Sequence, residues 1–410
     1  MSPRVLTRRS KIALAIAVTA AVVIGVVVFT SGSDESDVDA TTSEPTEVPA
    51  VPAILGDERF DLLVSDRSDA TAHVLAGGPG FAVAVDGGLT AYGADGVERW
   101  HYRPADTAVT DVHAYDDGTV LIAALSDNLV AFDANTGIQL WTSQSKDVRG
   151  AFAGYQNSQE EDPAPALARQ LAQSTGTVMM AFDPRTGDEK WRQSRGCSST
   201  AYTPRQLLCL NGFDGGAGVT VVDAATGSAG VDIVATVPGA SYPSSRVVSS
   251  GGGVALAFGI RSSQNRQNSS QVIYLDTTSR AIVPLGDASV TGGDPRGDLL
   301  VSTRLDRSST VALHDVAGTQ RCAFAPDVAP SYDGFGVTAW LTDQIISVVN
   351  RGSVVDPESS LAVLDRDCRS VAAPPVSDAT EITDIVPVPG ATLMVRGGDD
   401  GIHVVGYSPR

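Results

Sequence analysis

The stretch AFDPRTGDEKW, Ala181–Trp191, nearly repeats AFDANTGIQLW, Ala131–Trp141, which begins fifty residues earlier. Degraded copies recur along the chain: LTAYGADGVERW (Leu89–Trp100), VTVVDAATG (Val219–Gly227), VIYLDTTS (Val272–Ser279), VALHDVAG (Val311–Gly318), LAVLDRDC (Leu361–Cys368) and IHVVGY (Ile402–Tyr407). Their spacing, about 40 to 53 residues, is the period of propeller blades.

The unit can be read residue by residue. LVAFD (Leu129–Asp133) alternates like a strand with two unlike faces. DANTG then turns the chain: Asp accepts backbone N–H bonds at the start of a turn, and Gly tolerates the left-handed conformation a hairpin loop requires. IQLW returns as an outer strand ending in Trp. Trp100, Trp141 and Trp191 all occupy this place, where an indole can bury a large apolar face between neighbouring units. Upstream, DVHAYDDGTVLIAALSDN (Asp111–Asn128) supplies two more strands with turns at DDG and SDN.

One unit is therefore a four-stranded antiparallel sheet, and the chain is predicted to be an all-β, eight-bladed β-propeller over residues 57–410. Seven blades remain open if one weak repeat is misassigned. The last unit ends after its third strand, while RFDLLV (Arg59–Val64) precedes the first unit as a spare strand. Pairing the two would close the ring.

The 410 residues before and within this domain divide by composition. Residues 1–11 are a short basic tail, with Arg4, Arg8, Arg9 and Lys11. Ile12–Thr30 carries no charge and is long enough to cross a bilayer as a signal-anchor helix. Asp34, Glu35, Asp37 and Asp39 follow it, so the positive-inside bias places the N-terminus in the cytoplasm and the propeller outside the cell membrane. A cleaved signal peptide is the alternative, but its apolar core is usually shorter and VVVFTSGS is a poor cleavage site. No Cys follows the run, which argues against a lipoprotein anchor. Residues 31–56, acidic and rich in Ser, Thr and Pro, read as a disordered stalk.

The formal net charge is −19, with 48 acidic against 29 basic side chains, which argues against a nucleic-acid partner. Lys11, Lys146 and Lys190 are the only lysines. With the abundance of Ala, Val, Gly and Asp, this composition suggests a high-GC, actinobacterial genome.

Cys197, Cys209, Cys322 and Cys368 all lie in the exported part, where an even number reads first as disulfides. CSSTAYTPRQLLC looks like two short strands around a TPR turn, pairing Cys197 with Cys209 inside the fourth blade; Cys322 and Cys368 are left to pair by elimination. A metal site would want C-x-x-C spacing and nearby His, which these cysteines lack.

The form A-x-D-x-x-T-G-x-x-x-W, close at Ala131–Trp141 and Ala181–Trp191, resembles the outer-strand motif of the PQQ-like, quinoprotein-type propellers. That fold hosts both dehydrogenases and non-enzymatic scaffolds. In the dehydrogenases the quinone stacks on a disulfide between adjacent cysteines, beside calcium and an Asp base. This sequence has no Cys-Cys pair, and no residue carries over to a catalytic role. The resemblance to the scaffold propeller of the Gram-negative outer-membrane assembly machinery fits better. The layout of anchor, stalk and propeller also resembles the polar growth factor family of mycolic-acid bacteria. That resemblance implies a role beside a trehalose monomycolate exporter, with an envelope membrane protein as partner and a lipid or glycolipid as ligand.

The expectation is thus a non-enzymatic scaffold without cofactor or metal. A PQQ-dependent dehydrogenase and an extracytoplasmic ligand-sensing receptor are the alternatives.

Other motifs add little. His73, His101, His113, His314 and His403 fall mostly on or beside strands without ligand spacing. RGD (Arg296–Asp298) reads as a turn before a strand, GGDD (Gly397–Asp400) as a tight hairpin, and NSS at Asn268 as a glycosylation sequon only in a host that modifies such sites. Two polar inserts are more informative: RSSQNRQNSSQ (Arg261–Gln271) and RGSVVDPESS (Arg351–Ser360). Both fall between second and third strands, on the face that also carries the blade-to-blade connections, and suggest a functional rim there. A third insert, Tyr155–Ala166, seats less clearly, on the opposite face.

Overall fold

The computed structural model describes residues 38–153, 171–174, 177–203, 206–213, 215–237, 240–260, 269–294, 296–305, 308–325, 338–350, 359–374, 381–398 and 400–408. They form an eight-bladed propeller of mostly four-stranded antiparallel blades. Blade 1 comprises His73–Gly77, Gly80–Val85, Gly88–Gly93 and Glu98–Pro104, from the first, axial strand outward. Blade 2 follows as Asp111–Tyr115, Val120–Ala124, Leu129–Asp133 and Gln139–Ser143. Central strands are buried on both faces, as in Val120–Ala124, because each blade is covered by a neighbour on either side. The core is correspondingly a series of inter-blade clusters, such as Trp100, Leu121 and Phe132 between blades 1 and 2.

The ring closes as the spare strand predicts. Asp57–Ser65 pairs antiparallel with Gly401–Ser408, with Leu62 opposite Val404, and becomes the outer strand of blade 8. The first and last parts of the domain thus share one sheet, so blade 8 has no broken edge to fray.

Three features depart from a regular repeat. Blades 5 and 6 share one continuous strand, Ile282–Gly293, whose first half is the outer strand of blade 5 and whose second half is the inner strand of blade 6. Blade 3 shows three strands among the described residues. Beside them the helix Lys146–Ala153 buries Val148, Ala151 and Phe152 between blades 2 and 3. Gln173 anchors this helix by donating to the Asp147 carbonyl at 3.0 Å.

The third departure concerns the stalk expected to be disordered over residues 31–56, of which residues 38–56 are described and are ordered. Val38–Ala40 adds a fifth strand to the outer edge of blade 1, with Asp39 opposite Arg103. The chain then runs as a strap. Ser43 N–H donates to Thr136 O (2.9 Å), Asn135 brackets Thr46 through both amide atoms (3.1 and 2.7 Å), Gly390 N–H reaches Ala50 O (3.0 Å) and Asp343 N–H reaches Ala53 O (2.9 Å). The segment buries little apolar surface, as its composition demands. Its order comes from main-chain hydrogen bonds to turns of blades 2, 8 and 7.

The expected anchor, Ile12–Thr30, lies outside the described residues, as do most of the insert residues at 155–166, 261–271 and 351–360. Among the described residues no helix is long and apolar enough to cross a membrane.

Candidate functional site

The repeated motif resolves into one mechanical device. Where the unit carries the Asp, it caps its own turn: Asp133 Oδ1 accepts from the Asn135 and Thr136 amides and the Thr136 hydroxyl, and Asp223 does the same for Ala225 and Thr226. Bonding to the Thr226 hydroxyl and amide holds the Asp223 carboxyl below its usual range. The Gly of the motif sits at φ +74 in blade 2, and the indole of the preceding blade lies on it: a Cβ on Gly137 would stand 2.6 Å from Trp100 Cδ2. Trp100 Nε1 donates to Ala134 O of that turn at 3.1 Å. The same contact recurs between Trp141 and Pro184 O (2.8 Å) over Gly187, and between Trp191 and Ala224 O (3.0 Å) over Gly227. Phe60, on the closing strand, packs on Gly96 of blade 1 in the same way.

The cysteines belong to this scheme. Cys197 and Cys209 are bonded, with Cα atoms 5.2 Å apart; Cys197 lies two residues before the first strand of blade 4, Ser199–Thr203, and Cys209 lies on the second, Gln206–Phe213. The bridge packs against Met179 and Trp191 of blade 3. Cys322 and Cys368 are bonded as well, with Cα atoms 5.9 Å apart, and this bridge joins two blades. Cys322 stands four residues after Gly318, the interval that separates Gly137 from Trp141. Cys368 occupies the turn position of the motif's Gly, at φ +59. At the junction of blades 6 and 7 a covalent bond therefore replaces the indole-on-glycine contact. The signal was present in the spacing, but the degraded motif hid it.

Beside this bridge lies a cluster of buried charges. Asp294 and Asp298, with side chains 5% and 12% exposed, face Arg366 of the blade 7 turn at 2.8 and 3.5 Å. Arg321 reaches Asp298 at 2.8 Å and Arg296 reaches Asp294 at 3.3 Å. The Arg366 guanidinium also stacks 5.1 Å from the ring centre of Trp340 and donates to Leu341 O. Burial pushes the Asp298 carboxyl up, against the pull of Arg321 and Arg366, and burial pushes Arg366 down. Every member serves the junction of blades 6 and 7. RGD is accordingly a turn entering the strand Asp298–Leu305, with Gly297 N–H on Asp294 O.

The histidines all stand on strands. His403 lies between Asp61 (2.8 Å) and Asp400 (3.1 Å), and His101 between Glu98 (2.6 Å) and Asp39 (3.1 Å). Among the described residues no group of three or more His, Cys, Asp or Glu side chains is placed to hold a metal ion. The described residues also lack the adjacent-cysteine disulfide on which the quinone of the resembled dehydrogenases stacks. Neither disulfide is between adjacent cysteines, and each is packed into a blade junction, one against Trp191 and one against Trp340.

The two faces of the ring differ. The face of the third-to-fourth and first-to-second turns carries the strap, which meets the Asp133-capped turn of blade 2 and the first-to-second turns of blades 8 and 7. On the opposite face, second-to-third connections span two residues in blades 1, 4 and 6 but residues 261–268 in blade 5 and 351–358 in blade 7. These two longer connections, of blades 5 and 7, lie on the face away from the strap.

A family model described as outer membrane protein assembly factor BamB, of the PQQ-repeat type, matches residues 85–321. That is more than half of the 410 residues, and the chain belongs to this family of propellers. None of the curated proteins compared matches it. Similar solved structures include the Dos1 propeller, at 10% identity over 86% of this chain and 95% of that one, with a TM-score of 0.49. The β-propeller domain of the Trilobed protease from Pyrococcus furiosus gives 8%, 86%, 94% and 0.42 on the same measures. Dihydro-heme d1 dehydrogenase NirN in complex with DHE gives 13%, 81%, 77% and 0.44. Likenesses of this degree carry no functional implication.

Proposed function

We propose that this chain is a non-enzymatic scaffold of the cell envelope, tethered to the cell membrane by Ile12–Thr30 with its propeller outside. Its partner is an envelope membrane protein, and lipid export of the trehalose monomycolate kind is the process it serves. One observation carries the scaffold reading. Each residue type of the repeat has a structural duty: Asp133 caps its turn, Gly137 admits an indole, and Trp100 locks one blade to the next. The motif leaves nothing over for chemistry. Family membership supports the same reading, and the two longer connections on one face favour that face for docking.

Chemical crosslinking in the native membrane, followed by purification of the full chain, tests the partner. The expected product is a discrete adduct with a membrane protein. Dye-linked oxidation of an alcohol or sugar by the purified chain supplied with PQQ and calcium would overturn the non-enzymatic reading.

A further inference from the structure

The N-terminal strand is attached to blade 1 by an unusual fixture. His101, on the outer strand Glu98–Pro104, has a side chain only 11% exposed and meets a carboxylate at each ring nitrogen. Nδ1 lies 2.6 Å from Glu98 Oε1 on its own strand, and Nε2 lies 3.1 Å from Asp39 Oδ1 on Val38–Ala40. A carboxylate only accepts, so both contacts are hydrogen bonds only when both nitrogens carry a proton, that is, when the ring is an imidazolium. The main chain is tied at the same point: Thr41 N–H donates to His101 O at 3.0 Å, and His101 N–H to Thr41 Oγ1 at 3.1 Å. By contrast the strand itself has three exposed residues and contributes almost no apolar burial.

We propose that His101 is a proton-operated clasp that holds Val38–Ala40 against blade 1 when charged and frees it when neutral. The neutral ring has one N–H. The Glu98 contact is shorter and local to one strand, so the single proton stays there. Nε2 then presents a lone pair to Asp39, and the contact turns from attraction to repulsion. The other charged groups around the ring are Arg103, 3.7 Å from both Asp39 and Glu98, and Arg99, which donates to Ser43 and Glu44 O of the strap. Tyr92 faces Glu98 and Arg103 from the adjacent strand. Arg103 keeps a weak hold on Asp39 after the clasp opens, so release is local. Once open, the outer edge of blade 1 shows unpaired N–H and C=O groups flanked by His101, Arg99 and Arg103. Such an edge suits an extended acidic segment.

The two carboxylates raise the His101 pKa above 6.5 even though burial opposes the charge. A raised histidine pKa stabilises the clasped state fully below the unfolded value, and that contribution is lost as pH rises through the folded value. Hydrogen exchange of the full chain, corrected for intrinsic rates, reads the clasp directly. Protection of the 38–41 amides is expected to fall at least about threefold between roughly pH 6 and pH 9, while the core strands of blade 4 keep theirs. In His101→Gln, whose amide cannot donate from both ends, protection of this segment is low at both pH values. Asp39→Asn flattens the pH dependence without unfolding the blade. Wild-type protection that does not change with pH, or an unchanged pH dependence in His101→Gln, would overturn the proposal.

Discussion

Trp100→Ala is the sharpest probe of how the blades are joined. The indole is fully buried, lies on Gly137 of the next blade, packs on Phe132 at 5.7 Å between ring centres and donates to Ala134 O. A buried Trp removes about 150–250 Å² from water. At about 25 cal/mol per Å² that is roughly 4–6 kcal/mol, and truncation to Ala is expected to cost about 4 kcal/mol. For a domain of this size the melting temperature should fall by about 5 °C. Trp141 makes the same hydrogen bond but is only partly buried, so Trp141→Ala should cost about half as much. Far-UV circular dichroism in guanidinium measures both. A double-mutant cycle isolates the contact. Gly137→Ala alone should cost about 3 kcal/mol, from its positive φ and from a Cβ 2.6 Å from the Trp100 ring. In the Trp100→Ala background, where the clash is gone, it should cost only about 1 kcal/mol. Additive costs, or a Trp141→Ala loss larger than that of Trp100→Ala, would refute indole-on-glycine docking as the joint.

Further outcomes follow from the same joints. Cys322→Ser with Cys368→Ser should lose about 4 kcal/mol, because the bridge closes a separation of 46 residues. Cys322→Trp with Cys368→Gly, which restores the motif's own pair, should regain part of that loss in the same denaturation assay. Cys197→Ser should leave a folded domain less stable by about 3 kcal/mol, given a separation of 12 residues, as thermal melting under non-reducing conditions would show. Arg366→Ala should destabilise by about 3 kcal/mol, since it strips the buried Asp294 and Asp298 of a shared cation. The Asp298 carboxyl is already pushed up by burial, so the variant should be relatively most stable in acid and lose stability as pH rises through the raised value. Melting curves across pH measure this.

Much of this architecture is legible in the sequence because the repeat writes it. The strand alternation in LVAFD, the DANTG turn and the terminal Trp specify a blade, and Arg59–Val64 announces the ring closure that Asp57–Ser65 makes. What resists reading shares a physical reason. The strap, Thr41–Leu55, and the edge strand Val38–Ala40 are held by main-chain hydrogen bonds and a few charged contacts, which leave no apolar pattern. The helix Lys146–Ala153 lies outside the repeat altogether. The pairing of Cys322 with Cys368 follows from elimination, but its place between blades depends on matching Cys322 to a Trp position and Cys368 to a Gly position. Side-chain chemistry gives no hint of that equivalence. The face that carries the longer second-to-third connections is set by strand direction and connection length rather than by any single motif residue.

Photocrosslinking in the native membrane tests the central claim most directly, with the reactive residue placed at one of four exposed positions. Phe213, 38% exposed, and Asp127 stand on the face of the longer connections; Val97 and Ile138, 61% and 54% exposed, stand on the strap-crossed face. The scaffold account predicts adducts to one membrane protein from Phe213 or Asp127 and none from Val97 or Ile138. Adducts confined to Val97 and Ile138, or no adduct from any of the four, would contradict it.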